Sequence, residues 1–491
     1  MLKLRFTAAR LCVPAAFTAC FTLTLTATAS AAADKSALAQ AAAGEPQFRE
    51  LYKELVETQT ALSNGSCTLA AERMAARLRA AGFPNSDIRP FSVPDHPKEG
   101  GLVALYPGKD PKAKAILLLA HIDVVEAKRE DWTRDPFKLV EENGNFYARG
   151  VFDDKAEAAI WTDTLIRFKQ EGFHPRRTLK LALTCGEETG GAFNGAEWLS
   201  KNWREVIDAE FAINEGAFGE TDAAGNKVAL EVQAGEKASQ NFRLEVTNPG
   251  GHSSRPLKNN AIYHLAAALT RVEAYTFPAQ FTDASRAYFT GMAKIQAAKG
   301  NTDVAEAMHS LVKDPNDAAA IALVSSKDPS WNATLRTTCV ATMLDAGHAT
   351  NALPQRARAN INCRIFPGVD QESIRAKLEE LVADPEVKVT TLEVRGPSVQ
   401  PPPLTPQILG PVERLAAEYF PGVPVVPILQ PGGTDGLFMI AAGIPTYGIE
   451  PLFAGPDLGH IHGLNEYVSV KSLMDCRAFL YRLVKIYAEQ K

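Results

Sequence analysis

The chain of 491 residues is long enough for two domains, or for one large domain that carries an insertion. Its 46% hydrophobic and 22% charged residues are typical of globular proteins and exclude a largely disordered chain. A formal net charge of -5 argues against a nucleic-acid partner, because phosphate binding requires a basic surface.

The first 33 residues predict a secretory signal peptide. Basic residues between positions 3 and 10 precede an apolar stretch over residues 11–25, and small residues at 29–33 offer a cleavage site. Two alternatives stay open: a membrane anchor, for which the stretch is short, and lipid attachment at Cys20. We expect a secreted or periplasmic protein with no stable membrane span after the signal is removed.

Seven cysteines occur, and two of them lie in the signal segment. The other five are widely spaced, and the absence of a Cys-x-x-Cys pair argues against a thiolate zinc site. A chain of this length forms its core without disulfides, so we expect mostly buried thiols, with room for one bridge. The five are Cys67, Cys185, Cys339, Cys363 and Cys476.

The first half of the chain alternates between two kinds of pattern. Helical periodicity covers residues 36–60 and 67–81, and buried strands follow near residues 115–120, 178–184 and 211–213. Further helical patterns separate these strands. Such alternation predicts a mostly parallel sheet covered by helices on both faces, and therefore an α/β fold.

From about residue 235 the strand patterns alternate apolar and polar residues. They occur near residues 242–246, 333–343, 357–365 and 387–394, with helical patterns between them. This order predicts a separate α+β domain of the ferredoxin-like type, inserted into the α/β domain. We predict a signal peptide over 1–33, the α/β domain over 34–235 and 401–491, and the inserted domain over 236–400.

Acidic or imidazole side chains follow each strand predicted for the parallel sheet, and others lie in nearby loops. Ligands of parallel α/β sheets bind beyond the carboxyl ends of the strands, so these side chains are expected to converge. Imidazole and carboxylate groups together suit zinc or a similar divalent ion. The residues are His121, Asp123, Asp153, Glu187, Glu188, Glu215 and His462.

Each of these residues also has a plainer explanation. His121 could be structural, Asp153 and Asp154 could cap a helix, and the remaining acids and His462 could be solvent-exposed. As a set, five of them give two metal ions three ligands each if one carboxylate bridges, as in two-metal hydrolases. Those five are His121, Asp153, Glu188, Glu215 and His462. Glu187 is then placed to take a proton from water.

Five motifs, in this order, resemble the M20 metallopeptidase family, and most closely its carboxypeptidase S-like branch. They lie at residues 121–125, 150–155, 186–191, 249–254 and 462–466. The resemblance implies a zinc-dependent carboxypeptidase or dipeptidase with two Zn²⁺ per chain, for which Co²⁺ or Mn²⁺ could substitute. It also implies that the inserted domain is a lid that allows a homodimer.

The resemblance further implies a role for each metal-site residue. Asp153 would bridge the two ions. His121 and Glu215 would complete one ion's ligands, and Glu188 and His462 those of the other. Asp123 would orient His121. Glu187 would be the general base.

Residues beyond the metal site are also implied by the resemblance. His252 would stabilise the oxyanion, often in the partner subunit's site, and Arg364 would grip a substrate carboxylate. Asn351, Gly433 and Thr434 match positions that line the substrate site.

Three functions therefore stay open. The first is hydrolysis of short peptides, and the second is deacylation of N-acyl amino acids by the same site. The third is a non-catalytic binding protein on this scaffold. A serine hydrolase is disfavoured because the chain has no Gly-x-Ser-x-Gly motif.

Overall fold

A computed structural model describes residues 38–189, 193–394 and 396–491. The proposed signal peptide and the last two residues of the motif at 186–191 lie outside these ranges. Within the described ranges, no helix is both long and apolar enough to cross a bilayer.

The strands form two main sheets, and helices cover both. In chain order the strands are β1 (Ile88–Val93), β2 (His96–Tyr106), β3 (Ile116–His121), β4 (Val140–Glu142), β5 (Asn145–Tyr147), β6 (Leu179–Thr184), β7 (Phe211–Asn214), β8 (Gly219–Thr221), β9 (Lys227–Glu236), β10 (Ala238–Thr247), β11 (Gly251–His252), β12 (Thr338–Ala346), β13 (Ala352–Leu353), β14 (Arg356–Ile365), β15 (Lys388–Val394), β16 (Val425–Gln430), β17 (Thr446–Gly448), β18 (Phe453–Ala454) and β19 (Tyr467–Ser469).

From Glu45 onward the helices are α1 (Glu45–Val56), α2 (Cys67–Ala80), α3 (Lys155–Gln170), α4 (Gly195–Asn202), α5 (Arg204–Ile207), α6 (Ala261–Ala274), α7 (Asp283–Ala298), α8 (Thr302–Lys313), α9 (Ala318–Lys327), α10 (Pro329–Leu335), α11 (Gln371–Val382), α12 (Pro406–Tyr419), α13 (Gly436–Ala441) and α14 (Val470–Glu489).

The large sheet has ten strands in the order β1-β2-β6-β3-β7-β17-β9-β8-β18, with β16 paired to β9. Its centre, β6-β3-β7-β17, is parallel. Successive side chains of β3 enter different cores. Leu118 belongs to the core that contains residues of α1, α2, α3, α12 and α14, whereas Leu117 and Leu119 belong to the core that contains residues of α4 and α13. Burial on both faces explains the uninterrupted apolar run in β3. The predicted α/β class is confirmed.

The small sheet is antiparallel, in the order β12-β14-β10-β15, and α6 and α11 pack on it. Its chain order, strand–helix–strand–strand–helix–strand, agrees with the predicted ferredoxin-like pattern. The strand predicted to begin at Ala333 begins at Thr338 instead. Asp328 and Pro329 start the short helix α10 before it, with the Asp328 side chain as the N-cap.

Helices α7 to α10 lie within the range predicted for the inserted domain, yet they pack on the large sheet. Phe289 and Met308 from these helices share a core with Ala229 of β9 and with Val426 and Ile428 of β16. Residues 236–400 thus provide both the small sheet and a helical layer on the large one. The domain boundaries themselves stay a prediction.

The expectation of mostly free cysteines is wrong. Cys67 is bonded to Cys185, and Cys339 to Cys363, while Cys476 is a buried free thiol. Each bridge joins residues that only the fold makes neighbours. The first connects the start of α2 to the end of β6, and the second joins directly opposed residues of β12 and β14. Residue spacing could not reveal either pair.

Candidate metal centre

The ends of three parallel strands bring the candidate ligands together. His121 is the last residue of β3, Glu187 and Glu188 follow β6, and Glu215 follows β7. Because β6, β3 and β7 are adjacent and parallel, these residues leave the sheet at one edge. The structure thus shows the convergence that the sequence predicted.

Asp153 lies between the two histidines. Its Oδ1 is 2.9 Å from His121 Nε2, and its Oδ2 is 3.1 Å from His462 Nε2. His462 Nε2 is also 2.9 Å from Glu188 Oε1. Each carboxylate oxygen of Asp153 thus faces a different imidazole, which is the arrangement expected of a bridging ligand.

Helix capping does not explain the acidic pair before α3. The helix begins at Lys155, and within the described chain the side chain of Asp154 makes no capping hydrogen bond. Asp153 instead faces the two histidines. The capping alternative is therefore not supported for either residue.

Glu215 and Glu187 complete the cluster on the side of His121. Glu215 Oε1 is 3.7 Å from His121 Nε2, and one ligand atom from each of His121, Glu187 and Glu215 lies within 4.8 Å of the others. A second group with the same spacing contains His121, Asp153 and Glu188. These nitrogen and oxygen donors fit two adjacent divalent ions, with His121, Asp153, Glu188, Glu215 and His462 as ligands.

The electrostatics of the cluster favour bound cations. Burial, together with neighbouring carboxylates, raises the pKa of Glu215 to about 8 and that of Glu187 well above its ordinary value, although the nearby His121 acts to lower both. Hydrogen bonds to Asp153 and Glu188 raise the pKa of His462 to about 10. Carboxylates this close repel one another when ionised, and divalent cations between them relieve that repulsion.

Asp123 contacts two residues of the cluster, Glu188 and His121. Its Oδ2 accepts a hydrogen bond of 3.1 Å from the backbone N–H of Glu188. His121 Nδ1 lies 3.1 Å from the backbone oxygen of Asp123 and 3.6 Å from its carboxylate. Asp123 therefore lies where it can orient His121, with its carbonyl group rather than its carboxylate as the closer partner.

Sequence reasoning missed three buried acids that hold the site's loops: Glu236, Asp435 and Glu466. The Glu466 carboxylate accepts hydrogen bonds from Arg149 Nη1 at 2.7 Å and from the N–H groups of Gly150 and Phe152. It thereby fixes the turn that carries Asp153. The one sequence feature that pointed to Glu466 was its position in the motif at residues 462–466.

Asp435 anchors a second loop to the strand ends. Its carboxylate accepts from Thr184 Oγ1 at 2.8 Å and from Asn194 Nδ2 at 2.7 Å. Burial raises its pKa to about 6. The turn containing Gly433 and Thr434 is thereby held against the end of β6.

A cleft of about 1230 Å³ opens over the cluster. Three predicted substrate residues, Arg364, Gly433 and Thr434, line it. His252 and Asn351 are not among the described residues that line the cleft. They lie exposed around the short β11–β13 pairing, where the N–H of Ser253 donates to the carbonyl of Asn351.

Comparisons with known proteins point to one family. The family model described as "Peptidase family M20/M25/M40" matches residues 117–486. The chain is 30% identical over 389 residues to the human N-fatty-acyl-amino acid synthase/hydrolase PM20D1, covering 77% of this chain and 75% of that protein. It is 28% identical to a probable carboxypeptidase S-like 2 from Dictyostelium discoideum, covering 78% and 74%.

Solved structures share the fold at low sequence identity. The M20 family metallo-carboxypeptidase Sso-CP2 from Sulfolobus solfataricus matches with a TM-score of 0.68 and 18% identity, covering 90% of this chain and 99% of that one. The Bacillus subtilis YXEP protein, described as a dinuclear metal binding peptidase from the M20 family, has a TM-score of 0.54 and 13% identity, covering 90% and 97%.

The class defined by this fold and site is that of the metal-dependent hydrolases. The chain belongs to peptidase family M20/M25/M40. The predicted family is confirmed, and with it the prediction of an enzyme.

Proposed function

We propose that this chain is a dinuclear zinc enzyme that hydrolyses the amide bond of short peptides bearing a free carboxylate. The observation that carries the proposal is Asp153, whose two carboxylate oxygens face His121 and His462. His121 and Glu215 would hold one ion, and Glu188 and His462 the other. Co²⁺ or Mn²⁺ would be substitutes.

Bound ions in such a site lower the pKa of a water molecule and polarise the scissile carbonyl. The chain's own residues supply the rest. Glu187 lies beside Glu188 in the cleft and accepts the proton of the attacking water, then passes it to the leaving amine. A guanidinium group can form two parallel hydrogen bonds with a carboxylate, and Arg364 binds the free carboxylate of the substrate in this way.

The second candidate is an N-acyl amino acid deacylase that uses the same site. Two observations favour it. The human relative is named as an N-fatty-acyl-amino acid synthase/hydrolase, and apolar side chains line the same cleft as His462. Those side chains are Phe152, Phe218, Leu458 and Ile461. They would accommodate an acyl chain as well as an apolar amino acid.

We also propose that the mature protein is exported. The amino-terminal segment has the three parts of a secretory signal, and two disulfides are the usual mark of an oxidising compartment.

A homodimer through the small sheet is a further part of the proposal. Strand β12 forms an edge of that sheet, and its residues Val340, Met343 and Leu344 are each at least 60% exposed. An exposed apolar edge strand pairs readily with another chain. His252, outside the cleft of its own chain, would then serve the partner's cleft.

The test combines elemental analysis with a substrate screen on the purified mature protein. We expect two zinc ions per chain and release of a free amino acid that stops with a chelator and resumes with added zinc. Faster cleavage of dipeptides supports the peptidase, and faster cleavage of N-acyl amino acids supports the deacylase. No turnover by the zinc-loaded protein on either class would leave the binding-protein alternative.

A further inference from the structure

The large sheet is joined to the small one at Glu236 and Lys237. Strand β9 of the large sheet ends at Glu236 and β10 of the small sheet begins at Ala238, so that only Lys237 lies between them. Glu236 is 2% exposed and Lys237 is fully buried. Ionisable side chains this deeply buried require partners, and the two residues have different ones.

Glu236 holds the turn at Gly433–Thr434. Its carboxylate accepts hydrogen bonds from the backbone N–H of Thr434 at 2.5 Å and from Thr434 Oγ1 at 3.2 Å. The Thr434 hydroxyl also accepts from Asn214 Nδ2 and from the N–H of Gly436. One donor and two acceptors exhaust a hydroxyl group, so Thr434 contributes to the cleft through its placement rather than through a free hydroxyl.

Lys237 holds the beginning of the small sheet. Its Nζ donates to the carbonyl groups of Ala333 and Arg336, at 3.0 and 2.8 Å, and to Thr338 Oγ1 at 3.1 Å. Thr338 lies directly opposite Arg364 across the sheet. On the other side of Arg364 lies Ser239, two residues after Lys237.

We propose that Glu236 and Lys237 are positioning residues that set the separation between the Gly433–Thr434 turn and Arg364. This inference rests on the proposed function, in which Arg364 binds the substrate carboxylate in the cleft that Gly433 and Thr434 also line. Adjacent residues of an extended chain point to opposite sides, so one short segment can hold both groups at once. Neither residue touches the reacting atoms. Loosening the segment should therefore weaken substrate binding more than it slows the chemical step.

The experiment compares three variants of the zinc-loaded mature protein: Glu236→Ala, Glu236→Gln and, as the matched control, Glu231→Gln. Glu231 belongs to the same strand, and its side chain is hydrogen-bonded to that of Glu220. It is not among the described residues that line the cleft. KM and kcat are measured for a carboxylate-bearing substrate and its amidated counterpart, together with metal content. Hydrogen exchange is followed in a peptide covering residues 430–437.

We expect Glu236→Ala to raise KM for the carboxylate substrate about tenfold, since it leaves the Thr434 N–H without its acceptor. The values of kcat and metal content should stay near those of the wild type. The amidated substrate, which lacks the group for Arg364, should respond less. Glu236→Gln keeps one acceptor oxygen and should restore most of the binding, and Glu231→Gln should change nothing.

Hydrogen exchange tests the positioning role of Glu236 whether or not any substrate is turned over. Exchange at residues 430–437 should quicken in Glu236→Ala and stay at the wild-type rate in Glu231→Gln. Unchanged exchange in Glu236→Ala, or an equal KM increase in Glu231→Gln, would overturn the inference. An inactive wild type with quickened exchange in Glu236→Ala would instead reject the proposed function and leave the positioning role standing.

Discussion

At the scale of single residues, Glu187 and Glu188 are neighbours in sequence with different surroundings. Glu188 lies against His462, whereas Glu187 groups with His121 and Glu215. We expect Glu187→Gln to keep both metal ions and to lower kcat at least about 100-fold, because the proton acceptor is lost. Glu197→Gln, which alters another glutamate of the cleft, should stay near wild type. Loss of an ion from Glu187→Gln would make Glu187 a ligand rather than the base.

At the scale of secondary-structure elements, the Cys67–Cys185 disulfide ties α2 to the loop that carries Glu187 and Glu188. Replacing both cysteines by serine should lower kcat severalfold, since the loop gains freedom two residues before Glu187. The matched control replaces the other bridge, Cys339–Cys363, which lies within the small sheet. Both double variants should lose about 2–4 kcal/mol of stability, measured by denaturant unfolding. Equal kcat values in the two would show that the first bridge only stabilises.

At the scale of the whole molecule, an active site shared between two chains predicts complementation. Glu187→Gln and His252→Ala should each be nearly inactive. An equimolar mixture of the two should regain up to about a quarter of wild-type activity if His252 acts in the partner's cleft, because about half of the dimers are then mixed and each of those has one of its two sites intact. Light scattering checks the dimer, and Met343→Lys on the exposed edge of β12 should give monomers. A mixture without recovered activity would contradict the shared site.

The candidate metal centre was largely predictable because its residues directly follow strands or occupy Gly-rich turns. An apolar run that ends in His121 predicts both that a strand is buried and where it ends. Parallel pairing then brings Glu188 and Glu215 to the same edge of the sheet. The residues that hold the loops were missed, since Glu236 sits inside an ordinary strand pattern and its partner Thr434 is 198 positions away. Nothing local distinguishes such an acid from a solvated one.

The sequence by itself determined the α/β class, the inserted strand–helix pattern and the set of candidate metal-binding side chains. Hydrophobic periodicity and strand ends are local properties of the chain, and they are sufficient for such conclusions. Only the tertiary structure decided the two disulfides, the packing of α7 to α10 on the large sheet and the partners of Glu236 and Lys237. These features depend on contacts between elements that are distant in the sequence. The sequence of one element shows which of its faces is buried, but it does not show which other element covers that face.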